Sequence, residues 1–280
     1  MVQEKAPVLL HRQIAKDHYL MRLKVPLAAQ RARPGQFAHL LCGGAEYYPL
    51  LRRPFSLFDT NPERGTLDFI YKVVGLGTGA LAQIPRGTCV DFLGPLGTPF
   101  QVPAEMKRIL LIGGGVGIPP LYLLAKWLLK ERWASSVMHQ VEAFLGARTK
   151  DWVLCASDFR KLGVPVHVAT DDGTVGSKGS VVDLLQRFLR TTHNPRRKTV
   201  LYICGPTPMM AAAAALAHRK GILAQVSLEE RMGCAMGCCW GCVVEVATEP
   251  VSSHARFQRV CTEGPVFQAD QVLWRSGESH

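Results

Sequence analysis

The sequence predicts an antiparallel β-barrel, then an α/β domain with a parallel sheet, and a small cysteine-rich module at the C-terminus. Short β-like runs separated by turn formers fill about the first hundred residues. Apolar strands then alternate with helix-like sequence, and four of the nine cysteines follow close together. We therefore divide the chain into residues 1–102, 103–225 and 226–280.

The first segment alternates between strand-like and turn-like sequence. Its strand candidates are "APVLLHRQI", "HYLMRLKV", "GQFAHLLC", "RPFSLFD", "TLDFIYKV" and "TCVDFLGP". Turn formers such as "ARPGQ", "TNPERG" and "GLGTG" separate them. Several short strands at regular spacing predict a closed antiparallel barrel or sandwich.

The second segment changes to alternating strands and helices. "RILLIGGGVG" is an apolar strand that runs into glycines, and "PPLYLLAKWLLKERW" begins a helix with proline, where a missing N–H costs little. Further strands are predicted at "QVEAFLGA", "VPVHVAT" and "TVLYICGP", separated by the helices "DWVLCASDFRKL", "SVVDLLQRFLR" and "PMMAAAAALAHRK". This order predicts a nucleotide-binding type of parallel sheet. The last segment is too short for an ordinary core, so we expect a metal centre to stabilise it.

Composition excludes several classes of function. The 280 residues are 48% hydrophobic, and the formal charge is +11, from 33 basic and 22 acidic residues. The basic residues stand in scattered short pairs, so we expect no nucleic-acid binding. No apolar run reaches the ~18 residues of a membrane span, and the N-terminus does not fit a signal peptide. We therefore expect a cytoplasmic protein without a membrane segment, whose clustered thiols are reduced and serve metal or redox chemistry.

The clustered cysteines have the spacing of an iron–sulfur site. Cys234, Cys239 and Cys242 form C-x4-C-x2-C, and Cys261 follows at a distance, which is the plant-type spacing of a [2Fe-2S] cluster. Neighbouring glycines permit a close approach of the backbone to the cluster. Zinc would prefer two separated pairs, and it stays open as an alternative, as do unliganded thiols.

The other cysteines are interpreted as core residues. We expect Cys238 to be a small buried hydrophobic residue beside the cluster, although a swap with Cys239 stays open. We also expect structural positions for Cys42, Cys89 and Cys155.

Two motifs predict FAD. "LLRRPFSLFD" carries an R-x-[aromatic]-[S/T] pattern that resembles the flavin motif of ferredoxin reductase-like proteins. Its arginine can fork onto a pyrophosphate, while the aromatic ring and the hydroxyl flank an isoalloxazine. "FIYKVVGLGTGALAQI" offers backbone groups to the flavin and then a helix start for phosphate. The predicted FAD residues are Arg53, Pro54, Phe55, Ser56, Ile70, Tyr71, Lys72, Gly77 and Thr78.

Three further motifs predict NAD. "LLIGGGVGIPPL" is a glycine loop between strand and helix, although Ile118 stands where G-x-G-x-x-G has its third glycine. "YICGPTPMM" resembles the C-G-P motif that ferredoxin reductases place beside the nicotinamide ring. The carboxylates of "VATDDGTVGSKG" suit ribose hydroxyls and repel a 2′-phosphate, which favours NADH over NADPH. The predicted NAD residues are Gly113, Gly114, Gly115, Gly117, Asp171, Asp172, Cys204, Gly205 and Pro206.

Taken together, the motifs resemble the electron-transfer subunits of the NAD-dependent dihydroorotate dehydrogenases over nearly the whole chain. "GLGTGAL", "LGPLGTPF", "SLEERMGC" and "VCTEGPVF" add to those above. The resemblance implies an FMN-containing catalytic partner that oxidises dihydroorotate to orotate in pyrimidine biosynthesis, with two copies of each chain. Its electrons would pass through the cluster and FAD to NAD+, with no acid–base residue or nucleophile required of this chain. The Cys238–Cys239 pair and the long loop to Cys261 depart from the family pattern.

Three rival functions stay open. The same modules serve cytoplasmic hydrogenases and NADH-dependent ferredoxin:NADP+ oxidoreductases, which a co-purifying partner would distinguish. A zinc-stabilised binding module with a reductase-like fold would be colourless. A stand-alone flavin reductase would turn over without another subunit.

Overall fold

The first part of the chain folds into an antiparallel half-barrel. A computed structural model describes residues 1–43, 49–130, 140–192, 198–247 and 256–274. Its first sheet has seven strands in the order β4-β3-β7-β1-β2-β6-β5. Alternating buried side chains such as Met21, Leu23 and Phe69 fill its interior. The strands are β1 (Val2–Ala15), β2 (His18–Lys24), β3 (Phe37–Leu40), β4 (Arg53–Ser56), β5 (Asp59–Asn61), β6 (Thr66–Lys72) and β7 (Cys89–Leu96), with helices α1 (Pro26–Arg31) and α2 (Leu76–Ala82).

The second part is a doubly wound α/β domain, as predicted. Its strands are β8 (Arg108–Gly114), β9 (Gln140–Ala147), β10 (Val166–Thr170), β11 (Ser177–Lys178), β12 (Thr199–Cys204) and β13 (Leu223–Ser227). Its helices are α3 (Ile118–Lys130), α4 (Ala156–Lys161), α5 (Val181–Thr192) and α6 (Thr207–Arg219). All residues of β8 and β12 are buried, because helices cover both faces of a parallel sheet.

The strand order reverses direction between β8 and β12. The sheet reads β11-β10-β9-β8-β12-β13 and ends with β16 (Val266–Gln268), so the chain winds outward from β8 to one side and then from β12 to the other. In open α/β sheets the crevice at such a switch point binds ligands at the carboxyl ends of the strands. The glycine loop follows β8, and Gly205 follows β12.

One predicted helix is shorter in the structure. The pattern of "DWVLCASDFRKL" predicts a continuous helix, but a 3-10 turn at Lys150–Trp152 is followed by α4 only from Ala156. Cys155 stands between them with φ 59, a left-handed conformation that interrupts the helix.

The C-terminal part extends the parallel sheet and shares its core. Strand β16 (Val266–Gln268) pairs antiparallel with β13, while β14 (Val243–Glu245) and β15 (Phe257–Arg259) form a small hairpin-like pair. Cys242, Val260 and Cys261 belong to the same apolar cluster as Leu201 of β12. The short module therefore uses the core of its neighbour, which sequence length alone did not reveal.

Contacts between the parts bring the predicted sites together. The Thr98 N–H at the end of the half-barrel donates to the Gly264 carbonyl at 2.6 Å. Asp59 of β5 accepts from Lys126 of α3 at 2.6 Å, beside the stacked rings of Phe58 and Tyr122. No helix in the described ranges is both long and apolar enough to cross a membrane.

Candidate functional site

The two predicted flavin motifs meet in space. Arg53 begins β4, and its side chain crosses the first turn of α2, where a Cβ on Gly77 would lie 3.1 Å from Arg53 Nε. Arg53 Nη1 donates to the carbonyls of Leu51 at 2.7 Å and Arg52 at 3.2 Å. Among the described residues, no acceptor pairs with its Nε or Nη2. The free edge of this guanidinium is therefore available for a pyrophosphate beside a glycine-rich turn.

The aromatic residue of the motif faces the core. Phe55 is only 6% exposed, and its ring meets the ring of Tyr71 edge-on at 5.4 Å. The Tyr71 hydroxyl lies 2.8 Å from His11 Nε2, and burial raises the pKa of Tyr71. The prediction that an aromatic ring flanks the flavin concerns Phe55, whose ring is buried against Tyr71, another predicted flavin residue. Its half-buried neighbours Pro54 and Ser56 are the accessible side chains.

The remaining flavin residues lie beside this pair of strands. Ile70 and Tyr71 are buried near the end of β6, which adjoins the 3-10 turn of the glycine loop. The Lys72 ammonium lies 4.0 Å from the centroid of the Trp152 ring. Thr78 is the third residue of α2, and its hydroxyl accepts from the Val74 N–H at 2.9 Å. Thr78 therefore shapes the turn with a hydroxyl that is already engaged.

The glycine loop and the C-G-P motif touch at the switch point. Cys204 pairs with Gly113 across the sheet. A Cβ on Gly117 would lie 2.4 Å from the Gly205 nitrogen, and one on Gly114 would lie 3.0 Å from Pro206 Cδ. Gly115 has φ +54 and open space around it. Only glycine allows these two loops such close contact, and without a Cβ their backbone can also approach a dinucleotide closely.

The two predicted ribose residues differ in the structure. Both follow β10, which lies two strands, or about 10 Å, from β8. Asp172 Oδ1 accepts from the N–H of Thr174 at 3.0 Å and from its hydroxyl at 2.7 Å, and these bonds lower the pKa of Asp172. Both residues are exposed, and because the Asp172 carboxylate is engaged by Thr174, Asp171 is the better candidate for a ribose hydroxyl.

Two residues near this site were missed by sequence reasoning. Arg148 is exposed after β9, between the ends of β8 and β10, and lies 5.9 Å from the Trp152 ring centroid. Glu229 follows β13 and is open to solvent on one side, while desolvation by the surrounding protein raises its pKa. Burial, followed by the charge of Glu229, raises the pKa of the fully buried Cys204. The available signals were the polar residues of "GARTKD" and "SLEE" directly after strands.

Three of the four predicted cluster ligands share one tightly wound loop. Cys234 Sγ accepts from the N–H groups of Met236 and Cys239, both at 3.4 Å. Gly233 and Gly241 flank Cys239, where a Cβ would lie 3.4 Å and 3.5 Å from its Sγ. Left-handed φ angles at Ala235, Gly237 and Trp240 wind the loop. These features bring the backbone close to the cysteine sulfur atoms, as a bound cluster requires.

The four predicted ligands form two pairs. Burial opposes ionisation of Cys234, but backbone N–H groups and the Cys239 thiol lower its pKa to about 6. Burial and the neighbouring Cys242 raise the pKa of Cys261 to about 11. No group of three or more His, Cys, Asp or Glu side chains that could hold a metal ion occurs in the described ranges. In a binuclear cluster each iron is bound by two of the four thiolates, whereas a single zinc ion needs all four ligands around it. Two cysteine pairs therefore suit a binuclear cluster better than a zinc site.

Two cysteine expectations were wrong. Cys238 is exposed, and its Sγ lies 3.9 Å from the Met236 carbonyl of its own loop. Cys89 is exposed at the first position of β7. Cys238 is exposed because of the geometry of its loop, and Cys89 because it stands at the end of a strand. The apolar neighbours of these residues in the sequence indicate neither exposure. Cys42 and Cys155 are buried, as expected.

The cluster loop packs against the half-barrel that carries the flavin motifs. Met232 and Ala235 share an apolar cluster with Phe37 of β3 and Leu96 of β7. His39 of β3 is 0% exposed and pairs with Pro54 of β4, and within the described part of the chain neither of its ring nitrogens makes a hydrogen bond of good geometry. Desolvation and the charge of Arg52 lower the pKa of His39 to about 4, which keeps the ring neutral.

Comparison with known proteins agrees with this arrangement. Residues 229–273 match the family described as the iron-sulfur cluster binding domain of dihydroorotate dehydrogenase B, and residues 111–215 match the oxidoreductase NAD-binding domain. The chain is 38% identical over 270 residues to the dihydroorotate dehydrogenase B (NAD(+)) electron transfer subunit of Desulforamulus reducens, covering 96% of this chain and 97% of the relative. Its counterpart in Bacillus caldolyticus is 40% identical, over 97% and 98% of the two chains.

Solved structures with the same fold are also similar. The structure of an NADH-dependent reduced ferredoxin-NADP oxidoreductase superposes with a TM-score of 0.82 at 31% identity, over 97% of this chain and 90% of that chain. A ferredoxin NADP+ reductase from Neisseria gonorrhoeae with bound FAD and NADP shares the fold at a TM-score of 0.65 and 17% identity, over 78% of this chain and 92% of that chain.

Proposed function

Because the chain belongs to the family of dihydroorotate dehydrogenase B electron transfer subunits, we propose that it carries electrons from a catalytic subunit to NAD+. The observation that carries this proposal is the convergence of three sites in one chain. The flavin motifs meet at β4, β6 and α2, the nucleotide loops meet at the switch point, and the cysteine loop packs on the same half-barrel.

The cofactors supply the redox chemistry. When bound, a [2Fe-2S] cluster exchanges single electrons, FAD exchanges one or two, and NAD+ accepts a hydride. The chain contributes binding, orientation and electrostatics. We assign these tasks to the three segments 1–102, 103–225 and 226–280, although β16 joins the last segment to the sheet of the second.

Flavin and nucleotide binding rest on different groups. Arg53 would pair with the FAD pyrophosphate over Gly77, and Ser56 would offer its hydroxyl to the ring. The free N–H groups of the glycine loop and of Gly205 would bind the NAD pyrophosphate, and Asp171 would accept from the adenosine ribose. The buried thiol of Cys204 would line the nicotinamide position. The neutral thiol, with its raised pKa, adds no charge there.

Cluster binding would use the two cysteine pairs. Cys234 and Cys239 would hold one iron, and Cys242 and Cys261 the other, while the N–H groups of Met236 and Cys239 donate toward sulfur. The exposed Cys238 would stay outside the ligand set.

The partner is proposed to meet the protein at the cysteine loop. Trp240 is 54% exposed and Met236 49% exposed, and both lie between ligand cysteines. Large exposed apolar side chains mark interaction sites when they cluster. We propose that this surface receives the FMN-containing catalytic subunit, in a cytoplasmic complex with two copies of each chain.

A second candidate follows from one structural relative. The solved NADH-dependent reduced ferredoxin-NADP oxidoreductase, a protein of flavin-based electron bifurcation, matches at a TM-score of 0.82. The partner distinguishes the two functions, since dihydroorotate is oxidised only in a complex with a dihydroorotate dehydrogenase catalytic chain.

The test is anaerobic co-expression with candidate partner chains. We expect the purified complex to contain FAD, FMN, iron and acid-labile sulfide, and to reduce NAD+ with dihydroorotate. The chain alone should retain NADH–dye activity through FAD. A colourless chain with zinc would contradict the proposal. A complex that forms with a ferredoxin:NADP+ oxidoreductase subunit instead would favour the second candidate.

A further inference from the structure

We propose that Arg259 is the positioning residue of the cluster: it ties the Cys261 segment to the cysteine loop, and its charge raises the cluster's reduction potential. This inference rests on the proposed cluster site. It adds a residue that neither the cysteine spacing nor the flavin and nucleotide motifs identified. Arg259 is the last residue of β15 and stands two positions before Cys261.

On its own segment, Arg259 is fixed by Glu263. The Arg259 N–H and Nε donate to Glu263 Oε2 at 2.7 Å and 2.9 Å, and Nη2 donates to Oε1. The Arg259 carbonyl in turn accepts from the N–H groups of Thr262, Glu263 and Gly264. The backbone and side chain of Arg259, together with the Glu263 carboxylate, thus hold the turn that contains Cys261.

The same guanidinium reaches across to the cysteine loop. Arg259 Nη1 donates to the Gly237 carbonyl at 2.8 Å, and its Cζ lies 4.8 Å from the centroid of the Trp240 ring. Gly237 has φ +82, and a Cβ there would lie 3.1 Å from Nη1, so glycine leaves room for the contact. Arg259 therefore bridges the segment of Cys261 and the loop of Cys234, Cys239 and Cys242.

Arg259 makes more contacts than an ordinary surface ion pair, because it binds a second loop as well as Glu263. Side chains of Arg259 and Glu263 are 28% and 33% exposed, and an isolated ion pair this close to solvent contributes little to stability. A guanidinium that also holds a carbonyl and a ring in a second loop orients that loop. A lysine could keep the charge but could not make the fork and the carbonyl bond together.

The charge of Arg259 acts on the predicted ligands. Arg259 stands two positions before Cys261, and its Nη1 donates to the Gly237 carbonyl, which lies between Cys234 and Cys239 in the sequence. Reduction adds an electron to a cluster that four thiolates already make anionic, so a nearby cation favours the reduced state. Glu263 opposes this effect, while the Gly237 carbonyl and the Trp240 ring hold the cation against the cysteine loop.

Three matched variants separate charge from geometry. Arg259→Gln removes the cation, Glu263→Gln removes the anion but keeps an oxygen for the Arg259 N–H, and Arg259→Lys keeps the charge without the fork. The midpoint of the cluster in the anaerobic holoprotein is measured by potentiometric titration followed by EPR. Iron and acid-labile sulfide are counted in every sample.

Opposite shifts are the expected result. Arg259→Gln should shift the one-electron equilibrium about tenfold toward the oxidised cluster, or about 59 mV downward. Glu263→Gln should shift it upward by less. Arg259→Lys should leave the midpoint within about twofold of the wild-type equilibrium, but with a broadened EPR signal and faster loss of iron on exposure to a chelator.

Two results would overturn the inference. Full iron occupancy with unchanged midpoints in Arg259→Gln and Glu263→Gln would show that Arg259 does not tune the cluster. An Arg259→Lys protein with a wild-type EPR signal and iron retention would remove the positioning role. Wild-type protein without iron and sulfide is a different failure, that of the cluster site itself.

Discussion

The nucleotide loops and the cysteine loop bind their cofactors in opposite ways. At the switch point the backbone itself forms the site, and Gly114, Gly117 and Gly205 are locked between two buried strands. In the cysteine loop, side chains form the site, and they lie on a wound segment of which Cys239 and Trp240 are exposed. We therefore expect the first site to be rigid without its ligand, and the second to depend on Arg259, Glu263 and a bound cluster for its order.

The largest expected effect tests the rigidity of the nucleotide loops. In Gly117→Ala the new Cβ would lie 2.4 Å from the backbone of Cys204 and Gly205, which neither strand can relieve. We expect a loss of about 3–5 kcal/mol in the free energy of unfolding, measured by chemical denaturation. Gly79→Ala in α2 is the control, since nothing lies within 4 Å of its Cβ. Equal stabilities of the two variants would show that the loops adapt.

The second prediction tests the cysteine loop as a ligand set. Cys239→Ser should remove the cluster and its visible absorption, while NADH–dye activity and the α/β core remain. Cys238→Ser should keep the cluster, because its exposed thiol points to the carbonyl of Met236. Absorption spectra and iron analysis of both proteins check this. If the cluster were lost in Cys238→Ser but kept in Cys239→Ser, the ligand would be Cys238 and not Cys239.

The third prediction concerns the contact between cysteine loop and half-barrel. Buried His39 has a pKa of about 4 in the fold against 6.5 unfolded, because of desolvation and the charge of Arg52. Its contribution to stability is complete above pH 6.5 and is lost as the pH falls from 6.5 toward 4. The loss is at most roughly 3 kcal/mol, since each pH unit is worth about 1.4 kcal/mol.

Urea denaturation between pH 7 and pH 4 measures this loss, with His39→Met as the reference that cannot titrate. As the pH falls, the wild-type protein should lose more stability than His39→Met. A constant difference would show that His39 is protonated or solvated in the native protein.

The smallest expected effect belongs to the flavin site. Arg53→Lys loses the fork over Gly77, and FAD affinity should fall about tenfold, or ~1.4 kcal/mol. Its neighbour Arg52 forms an ion pair with Asp91 at 3.0 Å, so Arg52→Lys is the matched control with little effect on FAD. FAD binding is measured by flavin fluorescence quenching. Equal losses in both variants would argue against a pyrophosphate role for Arg53.

The sequence predicted elements and motifs better than the contacts between them. Strand and helix order followed from hydrophobic period and turn residues, and the glycine and C-G-P motifs fell on adjacent strands as the βα alternation required. The turned-in ring of Phe55, the engaged carboxylate of Asp172 and the exposed thiol of Cys238 were not predictable. Each depends on a turn or a strand face that distant residues fix.

The same limit explains the missed residues. Arg259 lies 22 positions from Gly237, and only the fold shows that its guanidinium reaches that carbonyl. Glu229 gains its raised pKa from surrounding protein that no local pattern describes. The C-terminal module also shares a core with the α/β domain, and that core brings together residues far apart in sequence, such as Leu201 and Cys261.

Anaerobic titration of the isolated holoprotein with NADH, followed together by flavin absorbance and by EPR of the cluster, tests most directly whether the three sites act as one path for electrons. We predict that NADH bleaches the FAD and that the EPR signal of a reduced [2Fe-2S] cluster then appears. A fully reduced flavin beside a cluster that stays oxidised, and that dithionite can still reduce, would contradict it.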